Sequence, residues 1–193
     1  EIGNHSVYKN FYAAAIVEYT KNTYNQNVTV TGTEFKGTVY IPAEIDGLPV
    51  VSIAFGGNST IETLYVPDTV ATYGYRCFKD STTLKQVLMY KSDLENTREG
   101  TIGEQAFYGC TNLEKLELPD NVTLIDDNAF SLTTSKLVMN IPGSLERIES
   151  YAFSNSGFDT TESFPETLTY IGRGPFNNCT ILGNELFTID NCV

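Results

Sequence analysis

Residues 106–130 read AFYGCTNLEKLELPDNVTLIDDNAF, a segment that both begins and ends with the dipeptide Ala-Phe. The same dipeptide, or a close variant, recurs along the chain and ends at Phe55, Phe78, Phe107, Phe130, Phe153 and Phe176. These phenylalanines are 23 residues apart, except that Phe78 and Phe107 are 29 apart. A proline follows 12 residues after four of them, at Pro67, Pro119, Pro142 and Pro165, and Tyr90 takes that place after Phe78. Self-similarity at a fixed period of this length indicates a repeat architecture.

The local structure of one unit can be inferred from residues 106–130. Residues 113–118 end in the alternation Leu-Glu-Leu, which predicts a short strand with one buried face. Pro119 ends that strand because proline cannot donate a ladder hydrogen bond. Residues 122–125 predict a second short extended piece. Residues 126–130 then offer polar caps before Ala-Phe, which predicts one short helical or 3₁₀ turn.

Such a unit cannot bury its apolar edge alone, but stacked units can, so we expect a solenoid of about six coils. Each repeat Phe should pack on the Phe of the next coil and form an internal aromatic column. Two units depart from the pattern. Leu137 is shifted after Phe130, and Glu162 stands where an apolar residue is expected after Phe153, so we expect irregular strands there.

The motif in residues 106–130 resembles the BspA-like branch of the leucine-rich repeat superfamily. The opening Tyr40-Ile41-Pro42, followed by Asp46-Gly47-Leu48-Pro49-Val50, is similar to that family's first turn. The resemblance spans about residues 37–190. It implies a leucine-rich repeat solenoid in which short β-strands alternate with 3₁₀ or short helical turns. Members are typically bacterial or protist cell-surface or secreted proteins, several linked to adhesion, and the family has no catalytic residues or cofactor to carry over.

The ends of the chain and one insertion fall outside the repeat. Residues 1–36 are predicted to form an N-terminal cap on a solenoid of residues 37–190. Val28–Thr31 and Ala13–Tyr19 favour a β-hairpin in the cap, with a helix at Tyr12–Glu18 as the alternative, and residues 186–189 should close the other end. The six extra residues lie within the polar segment 91–100, which should loop outward. It either marks the binding side or is a tolerated bulge, and we favour the bulge.

Composition excludes several classes of function. The chain has 193 residues and a formal net charge of −12, which disfavours binding to nucleic acid or to anionic lipid. His5 is the one histidine, so a two-histidine metal site is excluded, as are most histidine-based triads. Asp126 and Asp127 are read as caps because adjacent residues point apart and do not form an acid–base dyad. We therefore expect no enzyme activity, no metal and no cofactor.

Four cysteines do not form a dense disulfide framework in a chain of this length. Cys110 and Cys179 lie three residues after a repeat Phe, an inward position, and are predicted to be buried free thiols. A Cys77–Cys110 bond is not expected because their offset exceeds the reach of a disulfide. Cys179 could pair with Cys192 if the terminus folds back.

No signal peptide is expected, since the longest apolar run, residues 12–17, follows no basic segment; it is also too short to span a bilayer. The family resemblance nevertheless implies an extracellular or cell-surface location.

The exposed face of the first strand in each unit is the predicted interaction surface. Tyr65, Leu88 and Tyr90 could form an aromatic and apolar patch on it. The predicted partner-binding face comprises Tyr65, Lys85, Leu88, Tyr90, Glu117 and Asn140. We expect a non-enzymatic binding or adhesion module that holds a protein or glycan partner through this face. The alternative is a structural spacer without a ligand, and a hydrolase is the remote third reading.

Overall fold

Each coil contributes two short strands, and the strands of successive coils stack into two mainly parallel sheets. This computed structural model describes residues 17–33, 36–57, 59–160 and 162–179. Sheet 1 has six strands, in the order β14 (Gly157–Asp159), β12 (Lys136–Met139), β10 (Lys115–Leu116), β8 (Gln86–Tyr90), β6 (Ile61–Pro67) and β3 (Gly37–Tyr40). Sheet 2 has nine strands: β1 (Val17–Asn22), β2 (Asn27–Thr33), β5 (Leu48–Ile53), β7 (Thr72–Tyr73), β9 (Gly100–Ile102), β11 (Val122–Ile125), β13 (Arg147–Ile148), β15 (Tyr170–Ile171) and, beside β5, β4 (Glu44–Ile45).

The register of sheet 1 follows the repeat in the sequence. Leu64 pairs with Val87, Val87 with Leu116, and Leu116 with Met139, and this row faces the core. The residues next to these in each strand point outward, as the two-residue period of a strand requires. The solenoid of about six coils is therefore confirmed.

The aromatic column forms as predicted. The rings of Phe78 and Phe107 lie 5.4 Å apart between centroids, Phe107 and Phe130 5.3 Å, and Phe130 and Phe153 5.0 Å, all nearly parallel. Phe176 continues the stack beyond Phe153 at 5.3 Å. These four stacked pairs form the spine of the core, and the rings of Phe107, Phe130 and Phe153 are fully buried.

The segments around each Phe are turns, and no helix occurs in the described parts of the chain. The reason is a left-handed residue on each side of the ring. Positive φ recurs two residues before the Phe, at Arg76, Gln105, Asn128, Tyr151 and Gly174. It recurs two residues after the Phe, at Gly57, Asp80, Gly109, Leu132, Asn155 and Asn178. A right-handed helix cannot continue through such residues, so the predicted 3₁₀ or short helical turns remain single reverse turns.

At the N-terminal end, β1 and β2 form an antiparallel hairpin, and β2 then pairs in parallel with β5. The hairpin prediction is met over residues 17–33. The alternative helix is wrong where it can be compared, because Val17 and Glu18 belong to β1, whereas residues 12–16 lie outside the described residues. The division of the chain at residue 36 stays a prediction, and the closing segment 186–189 is also outside the described part.

The two irregular units keep the stack continuous. Leu137 pairs with Phe158, and both side chains are fully buried. Phe158 reaches the aromatic column, with its ring centroid 4.5 Å from that of Phe153. A second aromatic ring in the core therefore accommodates the expected irregularity, and sheet 1 continues without a break from β12 to β14.

Candidate binding face and the pocket at its edge

Three side chains form an aromatic and apolar row on the outer face of sheet 1. Tyr40 pairs with Tyr65, and Tyr65 pairs with Leu88, on β3, β6 and β8. The rings of Tyr40 and Tyr65 stack 4.3 Å apart between centroids at an interplanar angle of 3°. All three side chains are half-buried. The structure thus brings the predicted Tyr65 and Leu88 together and adds Tyr40, and we name these three residues the strand-face row.

Sequence reasoning missed Tyr40, although a signal for it was present. Tyr40 lies two residues before Pro42, just as Tyr65 lies two residues before Pro67. Leu88 holds the same place before Tyr90. The position two before the proline, or before Tyr90, therefore marks the outward row in the first three coils of sheet 1.

Lys85 lies just before β8 and is engaged by a neighbour. Its Nζ is 2.8 Å from Glu62 Oε2, and both side chains are about half exposed. The hydrogen bond to Glu62 raises the pKa of Lys85. Exposed ion pairs of this kind contribute little to stability, and Lys85 stays available to solvent.

Glu117 and Asn140 continue the row along sheet 1, but their polar groups bind the backbone of the preceding coil. Glu117 Oε2 accepts a hydrogen bond from the Met89 amide at 2.8 Å. The Asn140 side chain accepts from the Leu118 amide at 2.9 Å and donates to the Leu118 carbonyl at 2.7 Å. Glu162 repeats the arrangement, accepting from Ile141 N at 2.7 Å.

These bonds compensate for the short strands. The β8–β10 and β10–β12 ladders end at Leu116 and Met139, before the proline position, so the amides beyond them need another acceptor. Partial burial acts to raise the pKa of Glu117, but the Lys115 ammonium at 2.7 Å and the Met89 amide hold that pKa below its usual value. Glu117 and Asn140 therefore have a structural task, which the sequence prediction of a binding role did not include.

Tyr90 lies two residues after Leu88, at the end of β8. Its hydroxyl donates to the Ile41 carbonyl at 2.6 Å, two coils away. Burial raises the pKa of Tyr90. Of the six predicted residues, Tyr65 and Leu88 pair directly across adjacent strands, and Tyr90 reaches back to the first coil.

A cavity of about 590 Å³ lies beside Tyr90, where the inserted segment meets the following coil. It is lined by Asp68, Met89, Tyr90, Lys91, Leu94, Glu95, Asn96, Thr97, Pro119, Asp120 and Asn121. Asp68 holds one side: it accepts from Ser92 Oγ at 2.6 Å and from Ser92 N at 3.0 Å, and Lys91 lies 3.0 Å away. Partial burial opposes ionisation of Asp68, but these partners hold its pKa below the usual value.

The inserted segment folds back against the solenoid, which corrects the expectation of a loop standing out in solvent. Asn96 donates to the Thr69 carbonyl at 2.7 Å, and Asn121 donates to the Asn96 carbonyl at 2.9 Å. Arg98 donates to the Asn25 carbonyl in the β1–β2 turn at 2.5 Å. The insertion therefore ties three parts of the edge together and lines one side of this open pocket.

The thiols are structural. Cys77, Cys110 and Cys179 are free; the first two are buried and Cys179 is half-buried. Cys110 donates to the Phe78 carbonyl at 3.0 Å, and burial raises the pKa of Cys110 to about 12. A thiol so hard to ionise is a poor nucleophile. Cys192 lies outside the described residues.

The acidic pair lies between β11 and the turn at Phe130. Asp126 Oδ1 accepts from the Asp127 amide at 2.8 Å. Within the described ranges, no group of three or more His, Cys, Asp or Glu side chains could hold a metal ion. The described residues also contain no helix with the length and apolar character needed to cross a membrane.

The family assignment follows from the repeat and its coils. The BspA type leucine-rich repeat region matches residues 48–100 and 90–190, in six copies. The chain belongs to the BspA-type leucine-rich repeat family. No curated protein matches the sequence.

Three solved bacterial proteins share the fold. A leucine-rich cell surface protein from Faecalibacterium prausnitzii is 22% identical, with a TM-score of 0.55, over 91% of this chain and 55% of that one. The T. pallidum leucine-rich repeat protein is 27% identical, with a TM-score of 0.54, over 85% of this chain and 65% of that one. The pneumococcal vaccine antigen PcpA is 19% identical, with a TM-score of 0.61, over 90% of this chain and 49% of that one. The chain thus spans between 49% and 65% of these proteins.

Proposed function

We propose that this protein is a non-enzymatic, extracellular or cell-surface binding module that holds a protein or glycan partner on the outer face of sheet 1. The observation that carries the proposal is the strand-face row of Tyr40, Tyr65 and Leu88. Aromatic residues at the centre of a rigid surface are the usual anchors of binding energy. The partner is not a nucleic acid, and the binding does not require the protein to insert into a membrane.

Rigidity supports the same proposal. The row is carried by three adjacent strands. The inner faces of β6 and β8 contribute the fully buried side chains of Leu64 and Val87 to the core. Side chains held by such a core lose little further freedom on binding, so more of the contact energy appears as affinity. The stacked ring of Tyr65 is already fixed by Tyr40.

A second candidate function is a structural spacer that displays other domains. The role of Glu117 and Asn140 favours a spacer, because the polar groups of these side chains are hydrogen-bonded to the backbone of the preceding coil. Beyond Leu88, the row of sheet 1 therefore offers few free polar groups to a partner.

The two functions are separated by a binding screen. The purified chain is applied to arrays of host proteins and glycans, in parallel with Tyr65→Ala/Leu88→Ala. A binding module yields at least one ligand whose affinity falls at least about tenfold in the double variant. The matched control is Tyr24→Ala, which removes an exposed aromatic side chain of the β1–β2 turn, outside sheet 1. The absence of any ligand, or binding unaffected by the double variant, rejects the proposed face.

A further inference from the structure

Two neighbouring cations on the turn side of the solenoid, Arg76 and Lys79, share a partner that is not a carboxylate. Six described lysines and arginines form ion pairs: Lys21, Lys85, Lys91, Lys115, Lys136 and Arg147. Arg76 and Lys79 form no ion pair with any described carboxylate. The chain as a whole carries a net charge of −12.

Both cations converge on one neutral oxygen of the next coil. Arg76 Nε lies 3.0 Å from Gln105 Oε1, and Lys79 Nζ lies 2.8 Å from the same atom. Like charges held this close repel each other, and a glutamine oxygen offsets that repulsion less than a carboxylate would. The two positive charges of Arg76 and Lys79 would therefore attract an added anion.

Two tyrosine rings flank the pair. The Arg76 guanidinium lies 4.7 Å from the centre of the Tyr75 ring, and Lys79 Nζ lies 4.8 Å from the centre of the Tyr108 ring. Tyr75 is 59% exposed. We name Tyr75, Arg76, Lys79, Gln105 and Tyr108 the turn patch. It belongs to the turns around Phe78 and Phe107, whereas the strand-face row lies on sheet 1.

The charged and amide groups of the turn patch present donors to solvent. The guanidinium and the ammonium have no acceptor atoms, and the Gln105 oxygen is occupied by them, which leaves its NH₂ group as a donor. A ligand made of acceptors, such as a carboxylate or sulfate, matches this set through charge-assisted bonds. The flanking aromatic rings match the apolar face of a sugar ring.

We propose that the turn patch binds an acidic glycan, placing a carboxylate or sulfate between Arg76 and Lys79 and sugar rings against Tyr75 and Tyr108. The overall negative charge does not prevent this, because charges beyond about 8 Å are largely screened at physiological ionic strength. The site is separate from the strand-face row and does not depend on the function proposed for that row.

The test measures binding of immobilised chondroitin sulfate by biolayer interferometry. The key variant is Arg76→Asn/Lys79→Gln, since asparagine tolerates the positive φ of residue 76. Its matched control, Lys85→Gln/Lys136→Gln, removes the same charge from ion-paired residues of sheet 1 or its edge. We expect the key variant to lose at least about tenfold in affinity and the control to lose little. Equal loss in both variants, or none in either, overturns the proposal.

Gln105→Glu gives a second, independent arm. The new carboxylate would pair with both cations, so the fold is retained, with an unchanged or raised thermal midpoint, while glycan binding falls at least about tenfold. Unchanged glycan binding in a folded Gln105→Glu protein refutes the site.

Probe specificity completes the design. Dextran, which is uncharged, and poly-L-glutamate, which is acidic without sugar rings, should both bind at least about tenfold more weakly than chondroitin sulfate. Comparable binding of either one overturns the assignment to an acidic glycan. Tyr65→Ala/Leu88→Ala should bind chondroitin sulfate normally, and a loss there would assign the glycan to the strand-face row instead.

Discussion

Replacing Phe130 by alanine removes the central ring of the aromatic column. Phe130 is fully buried and stacks on Phe107 at 5.3 Å and on Phe153 at 5.0 Å. Truncating a buried Phe costs about 3–5 kcal/mol, and two aromatic pairs are lost at about 0.5–1.5 kcal/mol each. We therefore expect the free energy of unfolding to fall by about 4–5 kcal/mol, toward the upper end of the Phe→Ala range.

Urea unfolding followed by far-UV circular dichroism measures this loss. The matched control is Phe55→Ala, at the start of the column, where the ring meets Phe78 edge-on at 5.3 Å. Only one ring pair of the column is lost there, so the cost should be about 0.5–1.5 kcal/mol smaller than for Phe130. If Phe130→Ala is as stable as Phe55→Ala, or loses less than about 1 kcal/mol, the stacked rings do not make the expected contribution to the free energy of unfolding.

Three further changes test individual contacts. Tyr73→Phe should raise the free energy of unfolding by about 1 kcal/mol, because the buried hydroxyl has no partner among the described residues; urea unfolding measures it. Asn140→Ala should lower the free energy of unfolding by about 1–3 kcal/mol, because it leaves the Leu118 amide and carbonyl unpaired. Urea unfolding measures this loss as well. Glu117→Gln should make the stability of the fold less sensitive to acid, because ionised Glu117 pairs with Lys115. Thermal midpoints measured from about pH 7 to pH 3 show this difference.

The controls and contrary results are specific to each change. A destabilised Tyr73→Phe would mean that the hydroxyl has a partner. For Asn140, Val138→Ala on the preceding strand β12 should stay within about 0.5 kcal/mol of wild type, and equal losses would show that the amide bonds contribute nothing.

The sign for Glu117 follows from its lowered pKa. Its contribution is complete above the usual carboxyl pKa of about 4.3 and is lost as the pH falls through the lower folded value. The wild type and Glu117→Gln should therefore converge in stability at acid pH, and a constant difference would contradict the ion pair.

The repeat phase predicted the core well because stacked coils place equivalent residues in contact. The spacing of the phenylalanines predicted the aromatic column, and the alternation with the inward apolar positions located Tyr65 and Leu88 on the outer face. Positive φ at Leu132 and Tyr151 was not predictable, since these residue types rarely adopt it. Only the equivalent Asn and Gly residues carried a signal for a left-handed turn.

The site was predicted in part. Glu117 and Asn140 were expected to face a partner, but whether an outward polar side chain reaches solvent or the next coil's backbone depends on where the ladder stops. Tyr90 and the inserted segment were unpredictable for a related reason: their contacts with Ile41 and Asn25 join residues far apart in sequence. Such long-range contacts have no periodic signature.

Binding through a preformed, rigid face is tested most directly by amide hydrogen exchange of the free protein, followed by mass spectrometry. Slow exchange is expected across β6 and β8, matching that of β7 and β9 in sheet 2, because all four strands enclose the same buried core. Exchange in β6 and β8 as fast as in the exposed turn at residues 23–26 would contradict a preformed face.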